Sequence, residues 1–281
     1  MTISTRDQLI DALANNSSRL VLDKASISNA TAGGYHSMFR ATGQPGQGAI
    51  PGAAAVCANG LLGTFGFANQ TPPATSYLGW MNGLATNSAV VIEIHDRLMH
   101  MGGLSGIVFT PTVQNVLLDV HANIATSNLA ARIGDANYSD IQWWMEWYTD
   151  TGATASNATI NVTYNDGTSG NLTLVAVGGT VRASRMIPLN GLIPAADSGK
   201  FIRDINTVTL SASTGTAGSF GFTATRPRGI SPQPLANFQT ISDWAQLGLP
   251  EIFNDSALFP IVISSTTTTG IIRGGAKIAH G

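Results

Sequence analysis

Short apolar runs, separated by clusters of Gly, Pro and Asn, recur along the chain and predict strands rather than helices. Residues 61–67, 77–81, 89–94 and 106–109 are runs of this kind. In the longer run 141–148, Ile141, Trp143, Met145 and Trp147 fall on one face of a strand and Trp144 on the other. Residues 159–164 and 172–177 flank Asn165-Asp166-Gly167-Thr168-Ser169-Gly170, which predicts a β-hairpin with a loop longer than two residues. Residues 181–187, 207–212 and 219–225 continue the series. Residues 61–226 are therefore expected to form an antiparallel β-sandwich, jelly-roll-like in kind, in a mainly β protein.

The flanks read differently. Thr5 followed three residues later by Gln8 fits a capping box, and Leu9, Ile10 and Leu13 supply an apolar stripe, so a short N-terminal helix is expected over 5–14. A brief strand at 20–22 follows, and then Gly, Ala, Pro and Gln dominate to residue 59, which makes 1–60 a helix plus an extended arm. Tyr35, Met38 and Phe39 in that arm need burial, either against a neighbouring subunit or over the chain's own core. Arg226-Pro227-Arg228-Gly229-Ile230-Ser231-Pro232-Gln233-Pro234 reads as a linker because each proline lacks a backbone donor. Beyond it come a short helix at 241–247, a strand at 258–263 and a polar tail at 266–281, so 227–281 is expected to be a linker and a C-terminal arm. Removing residues 1–18 or 265–281 should then leave the sandwich folded.

Composition sharpens this picture in one respect. Charged residues make up 11% of the 281 positions, against roughly 25% in an ordinary soluble domain, and neutral polar residues and Gly take their place. A surface with so little charge has little to keep copies apart, which suits burial against partners. Fourteen Lys and Arg against sixteen Asp and Glu, with no basic cluster, argue against nucleic-acid binding. A single Cys57 excludes an internal disulfide framework and a multi-cysteine zinc site. The N-terminus carries no secretory pattern, so synthesis in the cytosol is expected. No apolar run approaches the length of a membrane span.

Candidate chemistry is sparse. Glu93-Ile94-His95-Asp96-Arg97-Leu98-Met99-His100 concentrates two of five histidines beside two carboxylates. On a strand Glu93 and His95 share a face, and a metal would need a third ligand such as His121. The spacing matches neither the helical His-Glu-x-x-His pattern nor a Cys/His site, so His95 and His100 are weak candidates, and a structural role with Asp96 and Arg97 paired is favoured. Gly102-Gly103-Leu104-Ser105-Gly106 misses the nucleophile-elbow spacing by one position. Trp143, Trp144 and Trp147 could stack on sugars, although a core role for the Trp143 and Trp147 face is the simpler reading. No catalytic residue, metal or cofactor is assigned.

Three strings, Gly33-Gly34-Tyr35-His36-Ser37-Met38-Phe39-Arg40-Ala41-Thr42-Gly43, His95-Asp96-Arg97-Leu98-Met99-His100-Met101-Gly102-Gly103-Leu104-Ser105-Gly106 and Leu129-Ala130-Ala131-Arg132-Ile133-Gly134-Asp135-Ala136-Asn137-Tyr138-Ser139-Asp140, resemble virion structural proteins of tailed bacteriophages. The resemblance implies a non-enzymatic virion component, most like a capsid decoration or cement protein on the capsid surface. Its partners would be itself, as a trimer, and the major capsid protein, with no nucleic acid and no membrane. A tail or neck component is the alternative. A carbohydrate-binding module and a metal-dependent hydrolase stand further off. Under this reading the interface candidates are Tyr35, Met38, Phe39, Trp144, Trp244 and Phe253.

Overall fold

The computed structural model describes residues 3–179 and 183–281. The chain is mainly β with antiparallel, sandwich-like sheets and a short N-terminal helix, as expected. It divides into two compact units. One comprises the chain up to Ala49, Cys57–Asp96 and Pro227–Gly281, and the other Ile50–Val56 and Arg97–Arg226. The expected partition into 1–60, 61–226 and 227–281 sets both terminal segments apart, whereas both supply strands to the first unit. Two long strands, Val90–Leu104 and Ser219–Gln233, carry the chain from one unit into the other.

In the first unit, a five-stranded sheet runs in the order Thr240–Asp243, Ser76–Ala85, Ile272–His280, Ser17–Lys24, Gly43–Gln44. A second layer pairs Leu258–Ser264 with Gly34–Ser37 on one side and with Val90 to Asp96 on the other. Leu20, Leu22, Leu78 and Ile272 from the first layer form one buried cluster with Ile92, Ile94, Leu258 and Val262 from the second. The helix Arg6–Asn15 begins as predicted: Gln8 N–H donates to Thr5 Oγ1 at 3.2 Å and Thr5 N–H to Gln8 Oε1 at 3.1 Å. Its Leu9 and Ala12 bury against Ala279.

Both expected arms are instead structural. The segment 266–281, read as a polar tail, contains the middle strand of the five-stranded sheet, with Ser17–Lys24 on one side and Ser76–Ala85 on the other. Its Gly274 and Gly275 hide the alternation that would announce a strand. Side chains there would strike the carbonyl oxygens of Asn82 and Leu20, so the sheet requires glycine. The Gly-rich stretch after residue 40 is tied down by buried Lys24, whose Nζ donates to the carbonyls of Ala41 at 2.8 Å and Gly46 at 3.4 Å. Most of the supposed linker 226–234 instead continues the strand Ser219–Gln233, through Pro227 and Pro232. Residues 241–247 split into the strand Thr240–Asp243 and the helical turn Trp244–Leu247, which Asp243 caps. Residues 61–67 contribute only the bridge Phe65 to Leu258, and 106–109 form a turn.

The second unit is a sandwich in its own right. One sheet runs Ser169–Asn171, Asn157–Tyr164, Ile202–Leu210, Gln114–Asp119, with Val175–Ala176 also on Asn157–Tyr164, so the expected hairpin is present. The other layer pairs Gln142–Thr149 with Ser219 to Thr225 and with Arg185–Pro188. Of the strand expected at 181–187, Val181 and Arg182 lie outside the described residues. Ile160, Val162, Ile205 and Val208 from the first layer meet Trp143, Met145, Trp147, Phe220 and Phe222 from the second in one core. The strand Gln114–Asp119 has no sequence counterpart among the expected elements, because only Val116 and Leu118 of its six residues are buried.

Candidate functional site

The residues singled out from the sequence scatter through the fold. Met38 and Phe39 are fully buried within the first unit and are not interface residues. Phe39 packs edge-on against Phe259 with ring centroids 6.4 Å apart, and a Cβ on Gly48 or Gly63 would collide with its ring. Gly48 and Gly63 thus make room for an aromatic side chain. Tyr35 is half-buried in Gly34–Ser37, and Phe253 is half-buried beneath the Arg228 guanidinium, 5.3 Å from its ring centroid. Trp144 also departs from expectation. The strand Gln142–Thr149 is buried on both faces, and Trp144 Nε1 donates to Thr225 Oγ1 at 2.8 Å, so this ring is internal while Trp143 and Trp147 take their expected place in the core. Among the six interface candidates, Trp244 is the one with an exposed ring.

The histidine-rich segment builds buried polar structure. His95 shares a face with Glu93 as expected, and its Nε2 lies 2.9 Å from Glu93 Oε2. Asp96 accepts from Ser256 Oγ at 2.9 Å and from the Ala257 N–H at 2.8 Å. In the second unit, Arg97 donates from Nη2 to Glu146 Oε2 at 2.6 Å and to Tyr148 Oη at 2.8 Å, and from Nε to His100 Nδ1 at 3.0 Å. Thr223 Oγ1 donates to the same Glu146 oxygen at 2.6 Å. Since His100 Nδ1 must accept from a guanidinium, the ring is neutral. Burial, with the adjacent Arg97 charge second, lowers its pKa to about 3. His121, the imagined third metal ligand, bonds through Nδ1 to Tyr138 Oη at 2.6 Å. Among the described residues no group of three or more His, Cys, Asp or Glu is arranged to hold a metal ion.

Exposed apolar surface gathers in the first unit between Ile230 and Trp244, a region expected to be linker up to Pro234 and a short helix from Ile241. Thr240–Asp243 is an edge strand, with Ile241 opposite Asn82 and Asp243 opposite Trp80. Ile241 is 58% exposed. The preceding turn, closed by Phe238 N–H to the Leu235 carbonyl at 3.3 Å, presents Leu235 at 64% and Phe238 at 52%. Trp244 follows at the start of the helical turn. Ile230, also exposed, lies alongside, its carbonyl accepting from Ser242 Oγ at 3.3 Å. Pro232 and Pro234 of the same segment line a cavity of about 300 Å³ with Ala89, Val90, Val91 and Ile263. Such a patch, roughly 400 Å² of apolar area if each side chain exposes half its surface, is the size at which exposed apolar patches are often functional. A Leu-x-x-Phe-x-x-Ile-x-x-Trp spacing over 235–244 was the available signal, hidden by three prolines in the preceding run.

No helix among the described residues is long and apolar enough to cross a membrane. No family model matches the chain, and no curated protein matches it. Among solved structures, it aligns over 94% of its length with 77% of the D431N mutant VP2 protein of infectious bursal disease virus in derived T=1 particles, at 11% identity and a TM-score of 0.16. The VP2 subviral particle of the same virus aligns over 94% of this chain and 79% of that one, at 11% identity and a TM-score of 0.19. The T13 viral particle gives 98% and 83%, 9% identity and a TM-score of 0.19. TM-scores of this size fall short of a shared fold.

Proposed function

We propose that the protein is a non-enzymatic structural component of a virus particle that works by burying its surface against copies of itself and against neighbouring shell proteins. The observation that carries this reading is the exposed apolar stretch Leu235, Phe238, Ile241 and Trp244, which lies in the turn before an edge strand, on that strand and at the start of the helical turn after it, in a chain with only 11% charged residues. Burying about 400 Å² of apolar surface contributes about 10 kcal/mol. Association itself costs about 4–15 kcal/mol. One contact is therefore weak, and such contacts become stable when repeated around a closed assembly.

The three strings that resemble tailed-phage virion proteins make the finer form of the proposal a capsid decoration protein that sits over the joints between major capsid subunits, as a trimer on the capsid surface. The deciding measurement is the number of copies per particle by quantitative mass spectrometry. Copies in the hundreds fit a shell position, whereas a handful fit the tail or neck. Absence from purified particles would end the virion reading altogether.

A further inference from the structure

The second unit carries a cavity of its own. It is about 230 Å³ in volume and lined by Leu117, Asp119, Thr163, Arg203, Asp204 and Asn206, on the sheet formed by Asn157–Tyr164, Ile202–Leu210 and Gln114–Asp119. Against Asn157–Tyr164 a bulge between Ile205 and Thr207 makes Asn206 an extra residue at the cavity wall, whereas against Gln114–Asp119 the same step spans Leu118 to Asn115, so the extra residue there lies on that strand. Bulges of this kind re-aim side chains beside functional sites. Leu117, at φ +55°, turns a 66% exposed aliphatic side chain to the rim.

The polar groups are held in place by one another. Asn206 Nδ2 donates to Asn161 Oδ1 at 2.9 Å and to Thr163 Oγ1 at 3.0 Å. Asp204 Oδ1 accepts from the His121 N–H at 3.0 Å and Oδ2 from Arg203 Nε at 2.7 Å. Asp119 Oδ1 accepts from the Ala122 N–H at 2.7 Å. Each carboxylate keeps acceptor capacity, and the Arg203 fork keeps donors beyond its Nε. The wall therefore offers donors and acceptors side by side, next to an aliphatic surface. Two carboxylates disfavour an anion. A drug-sized apolar ligand needs about 300 Å³ or more and few polar walls.

We propose that this cavity is a saccharide site that takes one pyranose ring. Hydroxyl groups that both donate and accept match Asp119, Arg203, Thr163 and Asn206, and the C–H face of the ring packs on Leu117. The sheet continues outward from the cavity as an uncharged surface of Thr159, Asn161, Asn171 and Thr209, with Asn161 Nδ2 bonded to Asn171 Oδ1 at 2.9 Å. A longer glycan has a polar track to follow from there. The inference is independent of the assembly reading, since the two concern different units.

The test is titration of the ¹⁵N-labelled full chain with glucose, galactose, mannose and N-acetylglucosamine, and in a separate arm with ethylguanidinium, following amide shifts. At least one sugar is expected to shift the amides of Leu117, Asp119 and Asn206 saturably. Asn206→Ala is expected to weaken binding about tenfold by removing a preorganised amide. Leu117→Asp, at an exposed position that leaves the core untouched, should weaken it as well and guards against misfolding of the first variant. Shifts by ethylguanidinium alone would make the cavity a seat for a basic side chain and overturn the proposal. Silence from every sugar, or sugar shifts unchanged in both variants, would overturn it equally.

Discussion

Arg97 has no solvent exposure, and the acceptors around it are what make its position tenable: Glu146, Tyr148 and the Nδ1 of His100. Removing the carboxylate leaves a buried cation without its counter-charge, so Glu146→Ala is expected to destabilise the second unit by about 3–5 kcal/mol in urea unfolding. His100 adds a pH dependence. Its pKa is about 3 in the fold, below the ordinary value of 6.5. The unfolded chain thus binds a proton that the folded chain refuses, and the stability this neutral ring contributes is present above about pH 6.5 and lost as pH falls from there toward about 3. Urea midpoints should drop across that window, and His100→Gln, which keeps an acceptor but cannot titrate, should flatten the dependence. Phe39 shows the same logic in apolar form. Gly63→Ala should cost about 1–3 kcal/mol by driving a methyl into the ring. Some of this was legible: the shared face of Glu93 and His95, and the core face of Trp143 and Trp147, follow from strand alternation. The Arg97–Glu146 pair was not, because 49 residues separate its members. Phe39 looked like an interface residue because nothing in a run of glycines says what they surround.

At the scale of elements, the edge strand Thr240–Asp243 is tied on its outer flank by Thr240, whose N–H donates to Gln233 Oε1 at 3.0 Å and whose Oγ1 donates to the Pro232 carbonyl at 2.6 Å, yet it keeps exposed Ile241, which monomeric proteins ordinarily blunt with charge or proline. Only Asp243 on this strand is charged. The double variant Phe238→Ser, Ile241→Lys places a charge at the centre of the patch while leaving buried Ser242 in place. It is expected to abolish concentration-dependent self-association in sedimentation velocity and to change unfolding stability by no more than about 0.5 kcal/mol, as exposed positions do. Unchanged association would mean that copies meet through another surface. The strand itself was invisible in the sequence for a physical reason. A four-residue edge strand needs little alternation of its own, and residues 241–247 carry a helical spacing that the capping box of Asp243 and Gln246 uses for a single turn. The helix Arg6–Asn15 was legible because its cap is local. The strand Ile272–His280 was not, because two of its residues are glycines selected by the backbones of neighbouring strands.

For the molecule as a whole, the chain begins and ends in the same unit, and its ends pair with each other: Ser17 lies opposite Ala279 and Lys24 opposite Ile272. Strand Ile272–His280 then pairs with Ser76–Ala85 along its other flank, so it holds together two parts of the sheet that have no ladder between them. Its buried His280 joins three strands at once, with Nε2 2.7 Å from Ser18 Oγ and Nδ1 2.8 Å from Ser76 Oγ. An arm that only reaches for a neighbour could be trimmed without consequence, but a central strand cannot. Deleting residues 265–281 removes Ile272, Ala276 and Ile278 from the core and leaves two strands with unsatisfied ladders. Hydrogen exchange should then show loss of protection throughout Ser17–Lys24 and Ser76–Ala85. Deleting residues 1–16 is the milder lesion, because it removes the helix, its packing on Ala279 and the bonds of Ile3, Leu13 and Asn16 to Gly281, Lys277 and His280 but no ladder of the sheet, and protection in both strands should survive. The contrast separates the two readings of the termini: equal protection after both deletions would restore the C-terminal segment to the status of a dispensable arm, whereas selective loss after the C-terminal deletion makes it the keystone of the first unit's sheet.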